Sequence, residues 1–176
     1  ARKLKKKEGK IYVLIGDGEC QEGTTWESAL LASHHKLNNL VIIIDHNKLQ
    51  ALQSIEEVTS LGNLRDKFLS FGFEVSEIDG HNIPEIILSL QKQTEKPHVI
   101  IAHTIKGKGV SFMENDSKWH TRMPTEQEIK QEMNLRQQPD SLEITAGTPS
   151  KGLQVSLKCY ADFSQLDDTK DNPVQK

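Results

Sequence analysis

Two short apolar runs, Ile11-Tyr12-Val13-Leu14-Ile15 and Leu40-Val41-Ile42-Ile43-Ile44, punctuate the first third of the chain. Both are rich in β-branched residues and closed by polar or glycine residues, so both are predicted as buried strands. Thr25 to Lys36, between them, carries a helical pattern. A strand–helix–strand unit of this kind makes two parallel strands. Farther on, Leu61 to Phe71 predicts a short helix starting near Asn63. Phe73 to Ile78 alternates apolar and polar residues and predicts a strand. Ile83 to Lys92 is amphipathic, and Pro84 suits a first helical turn. Pro97 opens a strand over His98 to Thr104, residues 111 to 120 read as a loop, and Thr125 to Glu132 reads as a helix. Glu128, three residues after Thr125, completes a capping pattern there. The alternation of strands and helices predicts an α/β fold with a mostly parallel sheet flanked by helices.

Composition narrows this picture. The chain has 176 residues, enough for one α/β domain with a sizeable core. Its net charge of −3 and pI near 6.2 argue against nucleic acid as a partner. The basic stretch from Lys3 to Lys10 reads as a solvated helix end. Ala1-Arg2-Lys3-Leu4 carries no cap, so the chain is expected to open inside a helix, as a processed or trimmed piece would. Two cysteines, Cys20 and Cys159, are too few for a disulfide framework, and a reduced, cytoplasmic setting is expected. No apolar run approaches a membrane span and no signal peptide is visible, so no membrane partner is expected. The pattern changes from about Gln137, and Leu166 to Lys176 is polar without periodicity, as in a disordered tail. The expected organisation is an α/β domain over 1–136, then a distinct segment and tail over 137–176.

Candidate chemistry gathers at Asp17 and Asn47. Asp17 follows the first predicted strand in Ile15-Gly16-Asp17-Gly18-Glu19, and Asn47 follows the second in Ile44-Asp45-His46-Asn47-Lys48-Leu49. Parallel strands place both at one carboxyl edge, where open α/β sheets bind ligands. A carboxylate and an amide oxygen beside a glycine-lined turn suit a hard divalent cation that also holds phosphates; Asp17 and Asn47 supply oxygens, and the Leu49 carbonyl a third. Gly16 and Gly18 leave room for an anion against the backbone, with the N–H groups of the following helix pointing at it. The plainer alternative is that both residues cap turns. His34, His35, His46, His81, His98 and His103 lack zinc-ligand spacing and are read as structural, the adjacent His34 and His35 projecting apart on their helix. Nothing marks Cys20 as an activated thiolate, and Trp26 reads as core.

The string Gly16-Asp17-Gly18-Glu19-Cys20-Gln21-Glu22-Gly23, then Trp26-Glu27, then Asn47-Lys48-Leu49-Gln50, resembles the thiamine-diphosphate motif of transketolases, most nearly their stand-alone amino-terminal subunits. The resemblance runs from about Leu4 to about Glu128. It implies a thiamine-diphosphate-binding fold and, within it, the diphosphate-binding domain. Asp17, Asn47 and the Leu49 carbonyl would bind Mg²⁺. Gly18 would lie against the diphosphate, with Gly16 and Glu19 in the same cofactor-binding loop. Glu22 would act where two halves of an active site meet, and His120 would stand near the diphosphate and the reacting carbon. Lys106-Gly107-Lys108-Gly109 looks like the family's glycine turn after a late strand. Asp79-Gly80-His81 matches a family turn read here as structural. Leu142 to Leu153 resembles a family segment that normally precedes the first strand, and its Gly147 and Gly152 would then join the cofactor site. A circular permutation, a rearranged sequence and a chance match all account for that displacement.

What the resemblance implies is thiamine-diphosphate-dependent transfer of two-carbon ketol units between sugars or sugar phosphates. The family's opening histidines and its pyrimidine-binding half are not found here. A carboxy-terminal transketolase subunit is therefore the expected partner, within an oligomer, and the chain alone is expected to be inactive. The alternative is a truncated or rearranged non-catalytic domain serving as an interaction module.

Overall fold

The computed structural model describes Lys5 and residues 8–136. The opening Ala1-Arg2-Lys3-Leu4, the segment with Gly147 and Gly152, and the tail Leu166 to Lys176 lie outside the described residues. Four strands alternate with helices: β1 (Ile11–Gly16), α1 (Gly23–His34), β2 (Leu40–His46), α2 (Ile55–Thr59), α3 (Leu64–Ser70), β3 (Glu74–Asp79), α4 (Ile83–Gln91), β4 (His98–His103) and α5 (Glu126–Arg136). The sheet order is β1-β2-β4-β3 and every pairing is parallel. Each connection is therefore a crossover, and none is a hairpin.

Alternation along the central strands feeds two cores. Ile44, Val75, Val99 and Ile101 pack with Ala29 and Ala32 of α1, Leu64 and Phe68 of α3, and Phe73. Val41, Ile78, Ile100 and Ala102 point the other way, where Ile86 and Leu90 of α4 cover them. Burying a side chain the size of Phe68 or Ile44 contributes roughly 1.5–3 kcal/mol. Trp26 belongs to the first core, 5.1 Å from the Phe68 ring and 5.4 Å from Phe71, and its Nε1 donates to the Cys20 carbonyl.

β1 departs from its expected burial. Its Ile11, Tyr12, Val13 and Leu14 are exposed, Leu14 to 71%. Among the described residues β1 pairs with β2 alone, so its outer edge and much of both faces meet solvent.

Local chemistry sets the helix ends. Asn63 accepts from Asp66 N at the start of α3. Asn82 accepts from Glu85 N at the start of α4, with Pro84 in the first turn. Thr125 and Glu128 form the expected reciprocal cap. Helix α2 was not anticipated, although Ser54 and Glu57 carry the same cap in the pattern Ser-x-x-Glu. The loop expected over 111–120 ends in a 3₁₀ turn, Ser117–His120. The rings of His34 and His35 meet at 5.0 Å rather than projecting apart, because α1 stops at His34 and His35 leaves the helical path.

Candidate functional site

The site forms where β1 and β2 end side by side. Gly16 pairs with Asp45 at the last rung, so Asp17 and Asn47 both emerge at the carboxyl edge. A 3₁₀ turn over Asp17–Gln21 takes the chain from β1 toward α1. Asp17 is the buried residue of the pair, 2% exposed. Its Oδ2 accepts from Lys48 N at 2.7 Å and contacts His46 Nδ1 at 3.0 Å. Asn47 Oδ1 accepts from Leu49 N at 3.0 Å. Carboxylate and amide thus converge on one short turn, Asn47-Lys48-Leu49. The positive φ of Lys48, 64°, aims that turn's N–H groups at them.

The two strings interlock beyond this pair. Gln50 Nε2 donates to Gln21 Oε1 at 2.7 Å, and Gln21 Nε2 reaches the Thr59 carbonyl at the end of α2. A Cβ on Gly18 would stand 3.3 Å from Gln50 Nε2, tighter than ordinary contact. Glycine there lets the loop lie against the Gln50 side chain. Glu19 turns its carboxylate back onto Gly16 N at 2.6 Å, occupying that donor within the loop. Cys20 is wholly buried. Burial pushes its thiol up to about 12, and the Asp17 and Glu19 carboxylates add to the rise. It is no nucleophile in this fold.

The other expected residues lie apart from this centre. Glu22 is exposed at the head of α1, 3.5 Å from the Thr24 hydroxyl. His120 is exposed at the end of its 3₁₀ turn. Among the described residues no hydrogen bond or ion pair links His120 to Asp17, Asn47 or Glu22. Lys108 lies 3.8 Å from Glu114. Asp79-Gly80-His81 is structural, since His81 Nε2 accepts from Ile105 N and Gly80 N donates to the His103 carbonyl.

Sequence reading missed three contributors. Gln21 and Gln50 stood inside the quoted strings, and their spacing after each strand was the available signal. His46 was read as structural, and its Nδ1 contacts Asp17 Oδ2. Among the described residues no three His, Cys, Asp or Glu side chains gather as a metal cluster. A site of one carboxylate, one amide and one backbone carbonyl is a different donor set, suited to a hard cation that brings phosphate and water with it. The residues at this edge fit that set. Among the described residues, both contacts to the Asp17 carboxylate fall on Oδ2.

The family model described as transketolase, thiamine diphosphate binding domain, matches residues 3–148. One of the subunits of the apulose-4-phosphate transketolase of Phocaeicola vulgatus is 45% identical over 134 residues, 74% of this chain and 48% of the relative. Subunit SqwG of the 6-deoxy-6-sulfo-D-fructose transketolase of Clostridium sp. is 41% identical over 66% of this chain and 44% of its own length. The chain spans about half the length of the apulose-4-phosphate transketolase subunits it matches and about a fifth of the human transketolase. Among solved structures, transketolase from Campylobacter jejuni superposes with a TM-score of 0.68 at 36% identity, over 73% of this chain and 21% of that one.

Proposed function

The chain belongs to the transketolase family through its thiamine diphosphate binding domain, and on that premise we propose that it holds the diphosphate end of thiamine diphosphate through Mg²⁺. The enzyme it serves moves two-carbon ketol units between sugars or sugar phosphates. The observation that carries this reading is the convergence of Asp17 and Asn47 on the turn Asn47-Lys48-Leu49. Asp17 supplies charge, and Asn47 and the Leu49 carbonyl supply neutral oxygens. Phosphate and water complete the shell that Mg²⁺ prefers. Thiamine diphosphate, when bound, supplies the electron sink for the ketol unit. This chain's part is to bind and orient. Gly18 lets the loop pack against Gln50, and the first turn of α1 offers N–H groups and the positive end of a helix dipole. Glu22 at the head of α1 and the exposed His120 are the residues assigned to the contact with a second chain and to the reacting end.

The partner assigned is a carboxy-terminal transketolase subunit carrying the pyrimidine-binding half. One observation supports it: relatives more than 40% identical to this chain are named as transketolase subunits.

Calorimetric titration with thiamine diphosphate tests the metal. Binding is expected in Mg²⁺ and lost in EDTA, because the diphosphate and Asp17 repel one another without a cation between them. Equal affinity in EDTA would refute this reading.

A further inference from the structure

We propose that His46 is the positioning residue for the metal-binding carboxylate, holding Asp17 so that Oδ1 faces the cation. The inference rests on the metal reading above and adds a residue to it.

His46 Nδ1 stands 3.0 Å from Asp17 Oδ2, and a carboxylate oxygen accepts there when the imidazole carries its proton on Nδ1. The same oxygen, Oδ2, also accepts from Lys48 N at 2.7 Å. Two donors from different directions on one oxygen fix the carboxylate's rotation. One donor comes from the backbone and is present whatever residue other than proline stands at 48. The other is chosen by the side chain at 46, and that choice is where the sequence acts.

His46 is itself held. β2 and β4 pair His46 with His103 across the last rung of their register, and the two rings lie 5.3 Å apart. His103 Nε2 contacts Glu77 Oε2 at 3.1 Å, and Glu77 stands 4.0 Å from Arg65 on α3. A row of side chains therefore runs from Asp17 through His46, His103 and Glu77 to Arg65 of α3. A ring packed on one side and hydrogen-bonded on the other has little freedom to turn away. Groups that orient a ligand in this way are worth about 10–100-fold in metal affinity.

The test is Mg²⁺-dependent thiamine diphosphate binding, measured by calorimetry on the full chain as the parent and as His46→Phe, His46→Asn and Asp17→Ala. Thermal melting of each ligand-free form accompanies it. His46→Phe keeps a ring but loses the donor, and is expected to weaken binding about tenfold without lowering the melting temperature. His46→Asn restores an N–H and should recover near-parent affinity. Parent-like binding by His46→Phe, while Asp17→Ala has lost it, overturns this inference and leaves the metal reading standing. Equal loss in the Phe and Asn variants, with both melting early, shows a role in stability only and also overturns it. Parent-like binding by Asp17→Ala, or no binding by the parent, removes the metal reading and this inference together.

Discussion

At Asp17 the chain buries a carboxylate against donors from His46 and Lys48. Asp17→Asn keeps the shape and removes the charge. Thiamine diphosphate affinity in Mg²⁺ is expected to fall about tenfold or more, of order 1.4 kcal/mol, as calorimetry would read. Cys20, in the same loop, behaves in the opposite way. Its thiol, pushed up to about 12 by burial first and by Asp17 and Glu19 next, stays protonated at neutral pH. A Cys159→Ser chain should therefore resist iodoacetamide at pH 8 until denatured, and rapid labelling of the folded form would contradict the burial. Asp17, Asn47 and the core role of Trp26 were legible because each follows from strand ends and helical spacing. His46 was not. Its contact depends on how far the 3₁₀ turn carries Asp17 across the mouth of β2, and no residue pattern encodes that distance.

Helix and strand positions were legible where a side chain spells them out. Asn63, Asn82 with Pro84, and Thr125 with Glu128 each mark a helix start by satisfying an otherwise unpaired N–H. Five-residue α2 escaped because it is too short to show a period, although its Ser54 and Glu57 cap was in view. Burial of β1 was not legible, because an apolar run shows preference for a sheet and not its neighbours. Gly107 and His98 each bear on the stability of the elements around them. Gly107 has φ of +73°, and a Cβ there would stand 2.5 Å from the Met113 carbonyl oxygen. Gly107→Ala is expected to cost about 1–3 kcal/mol, read as a shifted urea midpoint. His98 opens β4 at 1% exposure, with Nε2 2.9 Å from the Ser76 hydroxyl. Burial, then Lys92, with a smaller push from Lys10 against the pull of Glu74, lowers its pKa from 6.5 to about 4. The unfolded chain thus binds this proton more readily, and stability is lost as pH falls from about 6.5 to about 4. His98→Gln should flatten that part of the melting-temperature profile; an unchanged slope would assign the loss to other groups.

For the whole molecule, the expected behaviour is dependence on another chain. In a preparation free of other transketolases, this chain should show no ketol transfer, and a matching carboxy-terminal subunit should restore it. Activity from the chain alone would show that the pyrimidine-side chemistry had been misplaced.

The strand order also dictates a sequence of assembly. β4 lies between β2 and β3 in space but follows both in the chain. Val41 must wait for His98, and Glu74 for the same residue. During synthesis β1 and β2 can pair across α1, whereas β3 emerges with no strand beside it until β4 follows. Closing such long loops is the slow part of forming a sheet. The carboxyl edge that carries Asp17, His46 and His103 is therefore completed last, by a strand that supplies none of the residues assigned to the cation.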